Sequence, residues 1–419
     1  AIKNDTLLTL LACINKFGGK ACIEFWLPMW TALKFEIMHG GDSSETYLDP
    51  LAENKSNDLI TEGTTPQVSN LQSNYQLSLD ILRALAYQLV ELDESAFNKY
   101  VVHILDELKP NFEFTKDLRQ SCNTLAAIGS ANLITFNKVI DLALPLFLEN
   151  TTEISKLKLM LLNLSYFLDS YIKVTKSLEN DKEKLQDFIK NNHLNDSKDE
   201  ILMILGMALT GNSKIEVTVR TLSVIQFTKM IKMEGYLTKE EMSLIIQYIT
   251  ETILTDNNKN IYCACLEGLK VISETHEDLV YEVSLKELLN LLPNRFDELI
   301  LYHKDDEIIQ VEVILKVILD FTTSRHVLIK ESIVALSQKL TEVYITGDSE
   351  AVDYCFLILS TIYSLLDNNF AVLDEETVSE IKEQTEESLF SILKNNKGDN
   401  SILFDNQNLS LLSNILYFA

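Results

Sequence analysis

Between residues 213 and 274, apolar side chains recur every three or four positions in three consecutive stretches. The stretches carry Val219, Leu222, Ile225, Met230 and Met233; Leu244, Ile245, Tyr248 and Ile249; and Ile261, Cys265, Leu269 and Ile272. This spacing is typical of amphipathic α-helices. Short polar connections separate the helices, so each helix pair leaves an apolar stripe that only a neighbouring pair can cover. The pattern therefore predicts an all-α fold, an α-solenoid of stacked helical repeats.

Hydroxyl–glutamate pairs predict where several helices begin. In a capping box, a hydroxyl and a carboxylate three residues apart each accept a backbone N–H at the start of a helix. The pairs with this spacing are Ser197–Glu200, Ser213–Glu216 and Thr238–Glu241.

Helical spacing covers most of the chain, with three interruptions. Residues 39–76 contain several glycines and prolines and no sustained period, so we predict a flexible loop there. We expect charged connections near residues 175–198 and 294–307. The remainder predicts one continuous solenoid segment, residues 1–419, and we expect it to be part of a longer protein.

Composition favours helices over sheets. The 419 residues include only 12 glycines and 6 prolines, and the chain has no Asn-Gly or Asp-Gly pair of the kind that closes tight hairpins. The formal net charge is −26, from 62 acidic and 36 basic residues. Because this field repels phosphate, we predict no direct nucleic-acid binding, while basic protein partners are compatible with it. No apolar run approaches the ~18–20 residues that span a bilayer, so we predict no membrane association.

No combination of residues predicts catalysis or metal binding. Cys263 and Cys265 lie two positions apart, about 200° around a helix, and diverge too far to share a metal ion. Gly18-Gly19 lacks the first glycine and the hydroxyl of a phosphate-binding loop. Residues 256–259 lack the spacing, the central glycine and the final glutamate of a calcium loop. We therefore predict no catalytic, cofactor or metal site, and no cofactor.

One step of the sequence resembles the HEAT repeat. Glu216 precedes Val219 and Arg220 with the acidic–x–x–Val–Arg spacing by which HEAT repeats align acidic and arginine side chains in a ladder. We therefore predict HEAT-type, ARM-like repeats, with Glu216 and Arg220 in such a ladder. Two connections between helix pairs are candidates for partner contact, although plain turns are the favoured explanation of both. Their residues are Asp256, Asn257, Asn258 and Lys259 in the first, and Thr322, Arg325 and His326 in the second.

Several longer strings resemble one protein family. They are KNDTLLTLLACINKFGG (3–19), ALKFEIM (32–38), HILDELKPNFEF (103–114), EVTVRTLSVIQFTKMIKM (216–233), LTDNNKNIYCACLEGLK (254–270) and ILDFTTSRH (318–326). They resemble the fungal HEAT-repeat subunits of the cytosolic iron–sulfur protein assembly (CIA) targeting complex, which are also described as DNA-repair and transcription proteins. The resemblance spans nearly the whole chain and corresponds to an internal portion of that family.

The resemblance implies a non-catalytic scaffold in the cytoplasm and nucleus that helps target iron–sulfur clusters to apoproteins. The implied partners are the WD40 and adaptor subunits of the complex, bound mostly through regions outside this chain, and client helicases and polymerases. A general transcription and repair factor is a further implied partner. An importin-β-like transport receptor, which is also acidic and built of HEAT repeats, is the alternative.

Overall fold

The structure is a computed structural model in which packing separates the chain into two compact units, Ala1–Leu237 and Thr238–Ala419. The described residues are 2–40, 66–113, 115–148, 153–211, 216–294, 311–323, 325–346, 351–369, 371, 373–395 and 405–418. Within these ranges the secondary structure is helical and contains no strand. The predicted fold class, an all-α solenoid, is confirmed. The single continuous segment stays a prediction.

Unit 1 consists of helices in two layers. They are α1 (Ile2–Phe17), α2 (Lys20–Gly40), α3 (Pro66–Leu92), α4 (Glu94–Leu108), α5 (Thr115–Gly129), α6 (Leu133–Leu148), α7 (Ile154–Ser177), α8 (Lys182–Asn191), α9 (Lys198–Thr210) and α10 (Val217–Lys232), with 3-10 turns at Lys109–Glu113 and His193–Ser197. Helices α1, α3, α5, α7 and α10 pack side by side in that order. Helices α2, α4, α6 and α9 pack against this layer.

Unit 2 repeats the arrangement. Its helices are α11 (Lys239–Thr255), α12 (Lys259–Ser273), α13 (Glu277–Val280), α14 (Lys286–Leu291), α15 (Val311–Thr322), α16 (His326–Thr346), α17 (Val352–Asn369), α18 (Glu375–Asn395) and α19 (Asn406–Phe418), with a π-helical segment, Tyr281–Leu285, between α13 and α14. Helices α12, α15, α17 and α19 form one layer, and the helices between them in sequence form the other.

The connection between α1 and α2 shows how short turns produce these pairs. Gly19 has a φ of 61°, a left-handed conformation that glycine adopts without steric cost. The chain therefore reverses within two residues after Phe17, and Leu7 and Ile14 of α1 face the interior together with Trp30 and Leu33 of α2. The turn agrees with the end of apolar periodicity at this point of the sequence.

The helix-start signals gave mixed results. Thr238 and Glu241 form the predicted capping box: the Thr238 hydroxyl accepts from the Glu241 N–H at 3.2 Å, and the Glu241 carboxylate accepts from the Thr238 N–H at 2.8 Å. Ser197 makes no side-chain cap bond, because it ends a 3-10 turn with φ −104° and ψ 5° instead of an extended conformation. Helix α10 begins only at Val217, so Glu216 is itself the N-cap residue, without a side-chain cap bond, and Ser213 lies outside the described residues.

The first predicted interruption is shorter than expected. Helix α2 continues to Gly40 and α3 begins at Pro66, so the loop prediction for 39–76 is wrong at both ends, and residues 41–65 lie outside the described residues. Proline suits the first position of a helix because the amide hydrogen that it lacks has no acceptor there. Within 175–198 the charged run forms α8 and a 3-10 turn. Residues 295–307 lie outside the described residues.

Candidate functional site

The first predicted contact connection, 256–259, is an ordered turn between α11 and α12. Asp256 accepts from the Asn258 N–H at 2.7 Å, and Asn258 in turn caps α12 by accepting from the Asn260 N–H at 2.9 Å. The side chains of Asn257 and Lys259 are exposed. Two of the four residues therefore shape the turn and two face solvent, and their role in partner contact stays a prediction.

The structure separates the residues of the second predicted connection. Thr322 is fully buried, and its hydroxyl donates to the Ile318 carbonyl at 2.7 Å. It lies on the inner stripe of α15, four residues after Ile318, so it belongs to the core and is unavailable to a partner. Arg325 and His326 are partly exposed at the start of α16.

Arg325 and His326 form ion pairs or hydrogen bonds with acids at the ends of two other helices. Arg325 Nη2 lies 3.5 Å from Glu274 Oε1, just after α12, and His326 Nδ1 lies 3.0 Å from Asp374 Oδ2, just before α18. Hydrogen bonds from Thr377, and then from His326, hold the pKa of Asp374 below its usual range. Arg325 and His326 therefore connect the start of α16 to the end of α12 and to the start of α18.

The same pattern continues one turn along α16. Lys330 Nζ lies 2.9 Å from Glu380 Oε2 on α18, and this bond is the main reason that the Lys330 pKa is raised. Glu331 accepts from the Tyr281 hydroxyl at 3.2 Å. We call Arg325, His326, Lys330 and Glu331 the charged seam, because these residues, in α16 or immediately before it, pair with polar groups of the repeats before and after this helix.

The predicted ladder residues make different contacts. Glu216 Oε1 lies 3.2 Å from Lys158 Nζ on α7, while Arg220 Nε donates to the Leu209 carbonyl of α9 at 3.0 Å. Both side chains therefore fasten α10 to earlier helices of unit 1. Acid–base pairs between repeats, of the kind that the sequence suggested at Glu216 and Arg220, occur in the charged seam. The sequence singled out Arg325 and His326 as candidates for partner contact and not as part of such a ladder.

One outward surface of unit 2 was missed by sequence reasoning. Helix α17 presents Asp353, Phe356, Tyr363 and Asp367, wholly or partly exposed, at intervals of three, seven and four residues, which places them on one stripe. Phe356, a large apolar side chain, is 38% exposed. We call this stripe the aromatic–acidic face.

A polar contact fastens the helices beside this face. The Tyr262 hydroxyl of α12 donates to Asp320 Oδ2 of α15 at 2.8 Å, and Lys316 Nζ lies 5.5 Å from the centre of the Tyr262 ring. Burial, followed by the bond to Asp320, raises the Tyr262 pKa well above its usual range. Tyr262 therefore acts as a neutral donor that joins two neighbouring repeats.

The described residues hold no group of three or more His, Cys, Asp or Glu side chains that could bind a metal ion. Cys13 and Cys263 are exposed thiols, and the other four cysteines are buried. Burial raises the pKa of the Cys355 thiol to about 12 and that of Cys122 well above its usual value, so both stay protonated as small apolar side chains. None of the described helices is long and apolar enough to cross a bilayer.

The chain is similar to proteins of one known family. A family model described as "RNAPII transcription regulator C-terminal" (MMS19_C) matches residues 314–419, and one described as "Dos2-interacting transcription regulator of RNA-Pol-II" (MMS19_N) matches residues 1–39. The DNA repair/transcription protein MMS19 of Saccharomyces cerevisiae is 53% identical over 422 residues, 100% of this chain. The chain belongs to the MMS19 family.

The match covers only part of the MMS19 relative. This chain spans 39% of the length of the yeast protein. The MMS19_C match includes α16 to α19 and therefore both the charged seam and the aromatic–acidic face. A crystal structure of an engineered protein aligns over 99% of each chain with 10% identity and a TM-score of 0.34, a likeness that carries no argument.

Proposed function

We propose that this chain is a non-catalytic scaffold segment of the cytosolic iron–sulfur assembly machinery, which helps target clusters to apoproteins of DNA replication, repair and transcription. The observation that carries the proposal is the 53% identity, over the whole chain, to the yeast DNA repair/transcription protein MMS19. The family membership favours this function over an importin-β-like receptor.

Two physical features support a scaffold. Helical repeats expose long side-chain stripes on successive helices, which suits contact with several proteins. The described residues contain no grouped metal ligands, so the iron–sulfur cluster in this proposal is cargo held by other subunits or by the client. The proposed partners are client helicases and polymerases, the general transcription and repair factor, and the WD40 and adaptor subunits, which bind mostly outside this chain.

The net charge of −26 supports a scaffold that binds proteins and leaves DNA binding to its clients. A strongly acidic surface has no electrostatic attraction for DNA, which its clients bind. We propose that the segment touches proteins alone, without direct contact to nucleic acid or membrane, and that it works in the cytoplasm and the nucleus.

A chimera tests the proposal. In yeast cells that lack their own MMS19, the yeast protein would be expressed with its matching stretch replaced by these 419 residues. We expect the chimera to restore radioactive iron incorporation into an immunoprecipitated helicase of the general transcription and repair factor. A version that lacks the stretch, expressed at the same level, should fail to restore it. Normal iron incorporation without the stretch would refute the proposed role.

A further inference from the structure

The outer surface of unit 2 presents apolar side chains that no described helix covers. Helices α15, α17 and α19 lie side by side in one layer, and their inner sides pack against the other layer. The exposed positions of α15 and α17 therefore lie on the side away from that layer. Leu319 and Tyr363 are half-buried on this surface, and Phe356 is 38% exposed. Aromatic side chains with an exposed face are over-represented where proteins bind one another.

Carboxylates border this apolar strip. Asp353 lies in the first turn of α17 and Asp367 in its last turn. Glu312 is exposed at the start of the neighbouring α15. Within the described part of the chain, these three carboxylates form no ion pair. Among the described residues none pairs with these carboxylates, and Lys316, one turn after Glu312 on α15, lies over the Tyr262 ring instead.

Asp367 lies at an electrostatically unfavourable position of its helix. The last turn of a helix carries partial negative charge, which disfavours a carboxylate, and the last turn of α17 has no basic residue to compensate. Asp353 differs, since an acid in the first turn interacts favourably with the helix dipole. A cation from outside the chain would relieve the repulsion at Asp367.

We propose that the aromatic–acidic face docks a basic segment of a partner protein, in which an apolar side chain lies between two Arg or Lys residues. The apolar side chain packs between Phe356 and Tyr363, and the cations pair with Asp353 and Asp367. The two carboxylates are fourteen positions apart on α17, about 20 Å along its axis, and six or seven extended residues span about that distance. The inference stands independently of the iron–sulfur role.

The test uses a fluorescein-labelled synthetic peptide of nine residues, with arginine at positions 2 and 8, leucine at position 5, and serine and glycine elsewhere. Fluorescence anisotropy gives its Kd for the full chain at low and at physiological salt. Two matched peptides serve as probes of chemistry: one replaces leucine with serine, and the other replaces both arginines with glutamate. We expect saturable binding of the first peptide, about tenfold weaker binding of the second, and none of the third.

Matched variants separate this face from general acidity. We expect Phe356→Ser to weaken peptide binding about tenfold. Phe390→Ser is its control, because Phe390 is 40% exposed on α18, beside Glu383 and Glu386, and its replacement should leave the Kd unchanged. Asp353→Asn with Asp367→Asn should weaken binding and reduce its salt dependence. Glu375→Gln with Glu376→Gln, the same change of charge on α18, should have little effect.

Far-ultraviolet circular dichroism verifies that each variant keeps its helices. Three results would overturn the proposal: no saturable binding of the arginine–leucine–arginine peptide, equal losses in the two phenylalanine variants, or equal losses in the two charge variants. The last two outcomes mean that binding follows the overall negative charge and not this face.

Discussion

The indole N–H of Trp30 donates to Oε2 of Glu107 over 2.8 Å and thereby joins α2 to α4. The same oxygen accepts from Lys34 Nζ at 2.9 Å. His103 Nε2 approaches the other carboxylate oxygen to 3.1 Å, and the ring of Trp26 packs edge-on against His103 with centroids 5.5 Å apart. Because the chain has two tryptophans, both at this cluster, indole fluorescence reports on it selectively.

This cluster predicts a pH dependence of stability. The Lys34 hydrogen bond first, and the Trp30 bond after it, lower the pKa of Glu107. A lowered carboxyl pKa stabilises the fold above the ordinary glutamate pKa, and the contribution is lost as pH falls through the folded-state pKa. We expect Glu107→Gln to reduce the stability of unit 1 at pH 7 and to lose this effect at acidic pH, below the folded-state pKa of Glu107, which is itself lower than the ordinary glutamate value. Urea unfolding followed by tryptophan fluorescence measures both.

Asp106→Asn provides the control for Glu107→Gln. Asp106 is an exposed acid on the same helix, and its change should leave the unfolding midpoint nearly constant at either pH. An equal loss for Glu107→Gln at both pH values would mean that the carboxylate charge contributes nothing.

Glu287 should show the opposite sign. Burial, and then repulsion from Glu251, raises its pKa. A raised carboxyl pKa makes the fold lose stability as pH rises from the ordinary glutamate pKa through the folded-state pKa. We therefore expect Glu287→Gln to raise the Tm of unit 2 at pH 7 and to leave it unchanged at about pH 4. Glu282→Gln, which removes the partner of Lys286 at 2.7 Å, should give no such gain.

Two left-handed glycines predict unequal costs of adding a methyl group. Gly235 has a φ of 70°, and a Cβ there would lie 2.8 Å from Ile189 Cδ1. A Cβ on Gly19 would have no neighbour nearer than 3.6 Å. We expect Gly19→Ala to cost about 1–2 kcal/mol for its backbone conformation, and Gly235→Ala to cost a further 1–3 kcal/mol or so for overpacking. Denaturant unfolding measures both.

A second substitution isolates the steric part of this difference. Ile189→Ala should cost less in the Gly235→Ala background than in the parent chain, because it removes the atoms that the new methyl group meets. If Gly235→Ala and Gly19→Ala cost the same, the contact with Ile189 has no energetic weight.

The capping box at α11 predicts a loss from a single hydroxyl. Thr238→Ala leaves the Glu241 N–H without its acceptor and should cost about 1 kcal/mol. Thr255, at the end of the same helix, donates only to the Glu251 carbonyl, so Thr255→Ala should change stability little. Thr238→Ser should retain most of the parent stability, and urea unfolding of the three variants provides the comparison.

The sequence predicted what is encoded locally. The Thr238–Glu241 box and the helices around it depend on residues within one turn, so a single sequence contains the needed information. The cap predicted at Ser197 does not form, because a 3-10 turn immediately before α9 changes the backbone direction at that residue.

Contacts between repeats could not be predicted in this way. Arg325 pairs with a residue 51 positions before it, and His326 with one 48 positions after it. The pairing of acids and bases depends on how successive helix pairs stack on one another. The spacing of apolar residues within a helix does not determine that stacking. The aromatic–acidic face could not be predicted because α17 has apolar residues around most of its circumference. The sequence therefore does not show which side of this helix is exposed.

The π-helical segment Tyr281–Leu285 holds one residue more than an α-helical path would use. Deleting a single residue from it would turn everything downstream by about 100°. Leu288, now fully buried, would swing towards water, and the polar side chain of Glu287 would change its neighbours. The additional residue in the π-helical segment therefore sets the rotation of α14 about its axis, and with it which side chains of α14 point into the core.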